Sequence, residues 1–154
     1  MKEMLEFDPT PHFQSKTLAN GLKVVVVENH EVPFVSMSLG LEAGAWTESK
    51  PGCASMAASM LRKGTRKHSE AKLAEELETY AIGLGAYAGM DTAMVNANCV
   101  TDQVERAAMF MAEIVMTPTF KGTEFEKLRK QVISDLAIAS AEPNYLAECE
   151  RIRR

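Results

Sequence analysis

An Asn-Gly pair between two apolar runs, in Leu18-Ala19-Asn20-Gly21-Leu22, commits the start of this chain to an antiparallel hairpin. A two-residue turn of the I′ type needs positive φ at both central positions, which Asn and Gly tolerate best. The run Val24-Val25-Val26-Val27 that follows reads as a strand buried on both faces. Val35, Met37, Leu39 and Leu41 then alternate with Ser36, Ser38 and Gly40, the pattern of a strand with one buried face.

Beyond a loop over residues 44–51, the Ala-, Met- and Ser-rich stretch 52–63 predicts a helix. Ser69 is placed to cap a second helix, with Leu73 and Leu77 one turn apart on its inner face. Strands follow at about 83–88 and 92–100, the second alternating through Val95, Ala97 and Cys99. Asp102 with Glu105, and Thr123 with Glu126, have the spacing of capping boxes, so each is expected to open a helix. The inner stripe of the first would be Val104, Ala108, Met111 and Val115, and that of the second Phe125, Leu128, Val132 and Leu136. Pro143 ends the latter, and a further helix begins near Leu146. This order predicts an α+β fold, with helices packed on a mostly antiparallel sheet. Residues 1–12 read as a leader and 13–154 as one domain, incomplete at its C-terminal end because the chain stops inside a predicted helix.

Composition narrows the function classes. A net charge of −4 over 154 residues argues against a dedicated nucleic-acid binder, which carries a basic face. No apolar run approaches the ~20 residues of a membrane span. Met1-Lys2-Glu3-Met4-Leu5-Glu6 lacks the apolar core of a signal peptide, so the chain as given reads as soluble and cytoplasmic, with a periplasmic location as the alternative if a signal was trimmed. Cys53, Cys99 and Cys149 are odd in number and form no CxxC pair; they read as small buried residues of a reducing compartment. The methionines, among them Met56, Met60, Met109, Met111 and Met116, read as gap-filling core.

Three strings carry a resemblance: Leu18-Ala19-Asn20-Gly21-Leu22-Lys23-Val24, Ala43-Gly44-Ala45-Trp46-Thr47-Glu48 and Met60-Leu61-Arg62-Lys63-Gly64-Thr65. In this order and spacing they resemble the start of the insulinase/pitrilysin metallopeptidase family, whose members include mitochondrial processing peptidase, the core subunits of the respiratory bc1 complex and bacterial zinc proteases. The resemblance runs over residues 13–147.

In active members the helix between the second and third strings carries H-x-x-E-H, two His one turn apart that bind Zn²⁺ and a Glu that activates water. The resemblance places Ser55 and Ser59 where the two His stand, and Ala58 where the Glu stands. It places Asp135 at the third, downstream zinc ligand and Leu128 at a supporting acidic position seven residues earlier. A neutral hydroxyl is a poor zinc ligand and a methyl group is none, so the zinc site reads as lost and no cofactor is expected in this chain. Asp135 is then either a leftover ligand or, by preference, a solvated helix residue. Leu84-Gly85-Ala86-Tyr87-Ala88 falls where the family pairs an extended substrate with an edge strand, a contact that needs main chain rather than catalytic side chains. The alternative is an ordinary strand beside a glycine bend.

The resemblance thus implies a catalytically inactive homologue. The leading reading is a subunit that pairs with a zinc-bearing homologue, or with itself, and helps bind extended peptides. A structural scaffold without a peptide role is the second reading. An active zinc endopeptidase with a non-standard site is the third.

Overall fold

A computed structural model describes residues 13–152; the segment read as a leader lies outside the described residues. The chain separates into two compact units, Met1–Pro33 and Phe34–Arg154.

The first unit is a hairpin. Strand β1 (Phe13–Thr17) pairs antiparallel with β2 (Lys23–Val27), in a register that sets Thr17 opposite Lys23. The loop is not the two-residue turn expected. Leu18 N donates to Leu22 O at 2.8 Å and Gly21 N to Leu18 O at 2.9 Å, so three residues form the loop. Gly21 sits in the left-handed region at φ 85°, while Asn20 turns its side chain to accept from Leu22 N at 3.1 Å. Glycine is needed at that third position, where a bulge absorbs the extra residue. The expectation that Val24 to Val27 are buried on both faces also fails: Val25, Val26 and Val27 are about half exposed. Among the described residues β2 pairs only with β1, and a two-stranded ribbon cannot bury both faces of a strand within itself.

The second unit is an antiparallel sheet with helices on one face. β3 (Phe34–Leu41), β4 (Gly83–Ala88) and β5 (Ala93–Val100) lie in the order β3-β5-β4, both pairs antiparallel. Register sets Val35, Met37 and Leu39 opposite Cys99, Ala97 and Val95, and Leu84 and Ala86 opposite Ala97 and Val95. These residues form the inner face. Gly40, Ser36 and Ser38 with Asn96 and Asn98 form the other, where Ser36 Oγ donates to Asn98 Oδ1 at 2.8 Å. The core joins that inner face to Leu73 and Leu77 of α2 (Glu70–Thr79) and to Ala107, Phe110 and Ile114 of α3 (Val104–Met116). α1 (Cys53–Met60) packs against β4, and the fold is α+β as the pattern predicts.

Ser69 caps α2 as expected, its hydroxyl accepting from Lys72 N at 3.3 Å. The two capping boxes do not form. A single 3₁₀ turn over Thr101–Gln103 leads into α3, and α4 (Gly122–Ala139) starts one residue before Thr123, leaving both helices without a side-chain cap. Along α3 the buried stripe is Ala107, Phe110 and Ile114, rotated from the expected one; Ala108 is exposed. β5 decides which of two neighbouring apolar stripes faces inward, and local spacing cannot see β5. α4 buries none of its residues: Val132, Ile133, Leu136 and Ile138 are exposed and Leu128 is half-buried. Pro143 begins α5 (Pro143–Ile152), at the first-turn position where its missing N–H is harmless. Met60 is core as expected, but Met109 and Met116 are exposed. Cys99 is buried and Cys53 exposed, the latter against expectation because it opens a helix at the surface; the side chain of Cys149 lies outside the described residues. No helix among the described residues is long and apolar enough to cross a membrane.

The connection between α1 and α2 is stitched to the connection between α3 and α4. Thr119 N donates to Gly64 O at 3.0 Å and Arg66 N to Thr117 O at 3.0 Å, with Thr65 bridged to Pro118.

Candidate functional site

The start of α1 is set by the loop before it. Gly44 has its backbone against the turn between β4 and β5: Ala45 N donates to Gly89 O at 2.9 Å and Trp46 N to Met90 O at 2.8 Å. A Cβ on Gly44 would stand 2.2 Å from Met90 O, so only glycine allows this approach. The loop then brings Glu48 to the first turn of α1. Its Oε1 accepts from Gly52 N at 2.7 Å and its Oε2 from Ala54 N at 2.8 Å. One carboxylate thus satisfies two backbone donors and complements the positive end of the helix. Gly52 takes φ 86° to let the chain turn into the helix.

α1 carries Ser55, Ala58 and Ser59, the three residues that the resemblance sets against H-x-x-E-H. Ser55 and Ser59 are exposed and Ala58 is buried. Ala58 and Ser59 line a cavity of about 300 Å³ between α1, α2 and β4, together with Arg62, Lys63, Glu70 and Ala86. The cavity takes no residue from α4, so neither Leu128 nor the exposed Asp135 joins Ser59 there. Among the described residues, no three His, Cys, Asp or Glu side chains gather into a group fit to hold a metal ion. Two hydroxyls and a methyl group offer a divalent cation neither imidazole nor carboxylate, so this donor set does not fit zinc.

β4 is an outer strand of its sheet, hydrogen-bonded to β5 on one side. Of the five residues singled out there, Leu84 is buried, Gly85, Ala86 and Ala88 are half-buried, and Tyr87 is exposed. A Cβ built on Gly85 meets nothing within 4 Å, which leaves open space beside the strand.

Local spacing missed one polar cluster. His68 Nδ1 lies 2.8 Å from Glu113 Oε1, and the buried Thr65 hydroxyl hydrogen-bonds the same oxygen. Thr65 Oγ1 in turn accepts from His68 N at 2.9 Å. Burial would push the Glu113 carboxyl up, but the hydrogen bonds from Thr65 and His68 outweigh it and hold it below the usual glutamate range. The signal was only a Thr and a His three residues apart in a loop; their acid partner stands 45 residues away, across the fold. Of the other histidines, His30 is exposed 3.6 Å from Glu28 and His12 lies outside the described residues.

Comparison with known proteins agrees with this architecture. The family model described as insulinase (peptidase family M16) matches residues 23–152. The chain is 28% identical over 128 residues to the beta subunit of mitochondrial-processing peptidase from Rattus norvegicus, covering 82% of this chain and 26% of that protein. It is 26% identical over 133 residues to a protein of Helicobacter pylori named non-peptidase homolog YmxG, covering 84% of this chain and 31% of that one. A crystal structure described as the peptidase M16 inactive domain from Pseudomonas fluorescens superposes with a TM-score of 0.85 at 27% identity, over 93% of this chain and 35% of that one. The chain therefore spans about a third or less of these relatives. A family match that runs from the second strand of the hairpin through the sheet and its helices makes this chain a member of the insulinase family, peptidase family M16.

Proposed function

We propose that this chain is a non-catalytic member of the family, a pseudopeptidase that pairs with a zinc-bearing homologue and helps hold extended peptides along β4. The observation that carries this reading is the side chains on α1. By the resemblance Ser55, Ala58 and Ser59 fall at the ligand, base and ligand positions, where two neutral hydroxyls are poor zinc ligands and a methyl group can take no proton from water. The names of two similar proteins, one a non-peptidase homolog and one an inactive domain, support the same conclusion for this chain. The outer position of β4 supports peptide holding, because an unpaired strand edge offers main-chain donors and acceptors to an extended partner. Pairing finds support in the beta subunit of the rat processing peptidase, a relative named as one subunit of a larger enzyme.

A second reading is a scaffold without a peptide role. The exposed apolar side chains Val132, Ile133, Leu136 and Ile138 on α4 favour it, as such a row marks a protein-facing surface.

Native mass spectrometry of the full-length protein, purified gently from its own cells, separates these readings. A heteromer of this chain and one homologue, holding a single zinc, is the expected result. A zinc-free homo-oligomer that binds no peptide would favour the scaffold. Zinc bound to this chain alone, with chelator-sensitive cleavage, would overturn both.

A further inference from the structure

We infer that the cavity beside Ser59 is a subsite for an acidic side chain of a peptide paired along β4, with Arg62 as its counter-charge. The inference rests on the peptide-holding reading above and adds to it a substrate class.

Three observations lead to it. The first is charge. Lys63 Nζ and Glu70 Oε1 pair at 2.6 Å, so these two lining residues neutralise each other. Arg62, by contrast, has neither an ion pair nor a hydrogen bond among the described residues. The cavity therefore holds one uncompensated positive charge, in a chain whose net charge is −4. A guanidinium with its fork free is suited to bidentate hydrogen bonding with a carboxylate.

The second is position. Arg62 borders both this cavity and a neighbouring hollow lined by Gly83, Leu84 and Glu78, a carboxylate with which it forms no ion pair among the described residues, so it stands beside the first half of β4. Ala86 lines the cavity and belongs to the inner face of the sheet, opposite Val95. Directly opposed residues in an antiparallel ladder share a face. A peptide laid on the free edge of β4 would thus send the side chain opposite Ala86 toward Ser59 and Arg62. Ala86 is in the body of the strand, so the group delivered there is a side chain and not a chain terminus.

The third is the wall chemistry. Leu73 and Leu77 would cover the methylenes of a Glu or Asp side chain, while Ser59, exposed and without a hydrogen-bond partner among the described residues, can donate to its carboxylate. A serine that cannot ligate zinc can still do this.

The test is fluorescence anisotropy on the full chain with labelled, C-terminally amidated extended peptides. Each carries a single Glu at one of several successive positions, beside a twin with Gln there. Hydrogen exchange along β4 is followed in parallel. One Glu position is expected to bind about tenfold tighter than its Gln twin, as a charge-assisted pair requires. The preference should shrink at high salt. Arg62→Gln should bring the Glu and Gln twins to equal affinity; Arg62 is exposed, so the variant folds. Equal binding of Glu and Gln peptides, with β4 protected from exchange, overturns the subsite and leaves peptide holding intact. A matched set with free C-termini is run beside them, and tighter binding by that set alone would reassign the carboxylate to a chain end and overturn the subsite too. No binding and no protection on β4 would sink both.

Discussion

His68 and Glu113, on opposite sides of the α2–sheet–α3 unit in sequence, meet as a 2.8 Å contact between Nδ1 and Oε1, with the buried Thr65 hydroxyl on the same oxygen. The pair ties the loop after α1 to the body of α3. It makes a pH-dependent contribution whose sign follows from the carboxyl. Glu113 is held below its usual range when folded, so the unfolded chain binds its proton more readily. The stabilisation is complete above the ordinary glutamate value and drains away as pH falls through the lower, folded value. Urea titrations between neutral pH and pH about 3 should show this loss. Glu113→Gln should cost about 1–3 kcal/mol at neutral pH and flatten the acid limb. An unchanged acid limb in the variant would show that the pair contributes nothing to it.

Gly44→Ala is expected to destabilise the protein by about 1–3 kcal/mol or more, because its new methyl would meet Met90 O and the rigid turn there has nowhere to go. Gly85→Ala is the control, since its methyl enters open space. Thermal melts of the two should separate clearly, and equal melting temperatures would contradict the close approach at Gly44.

Glu48→Ala should lower stability by about 1 kcal/mol by leaving Gly52 N and Ala54 N without their carboxylate. Glu48→Gln should recover only part of this, since an amide oxygen replaces one acceptor and the charge at the helix start is gone. Circular dichroism melts at low and high salt check it. The charge component should fade in salt and the hydrogen-bond component should persist.

Ser55→His with Ser59→His should create a weak zinc site on α1, read as zinc retained after dialysis, whereas the parent retains none. Adding Asp135→Asn to that double variant should change zinc affinity by less than about threefold, since two imidazoles supply the binding and Asp135 is exposed on α4, outside the cavity at Ser59. A large loss would instead make Asp135 a surviving ligand.

What could be read from the sequence was local. The alternation from Val35 to Leu41, the cap at Ser69 and the pair Leu73 and Leu77 each follow from contacts within one element, and each is found in place. The helix that carries Ser55, Ala58 and Ser59 was legible too, since its Ala-, Met- and Ser-rich stretch folds as α1 between Trp46 and Gly64. Features that depend on a distant partner were not. Glu48 reaches the helix from an upstream loop, at a spacing no capping pattern covers. The inward stripe of α3 is chosen by β5, and Val25 to Val27 are about half exposed in a two-stranded ribbon, a strand count that periodicity does not encode. The outer position of β4 is a property of strand order, which periodicity does not encode.

The stitch between Gly64 and Thr119 joins positions 55 residues apart. The β3–β5 ladder closes a longer loop still, from Phe34 to Val100, but with eight paired residues to repay it, whereas the stitch has only a few hydrogen bonds and is the weaker of the two closures. The stitch is an early event in opening, because its hydrogen bonds lie in connections and not in a ladder or helix. α1, which carries Ser55 and Ser59, is therefore held on its C-terminal side by a latch rather than by a weld. The Arg66 and Thr119 amides should exchange with solvent together, faster than those of β5 and at one shared rate, so that they keep time for the release of the whole α1 segment.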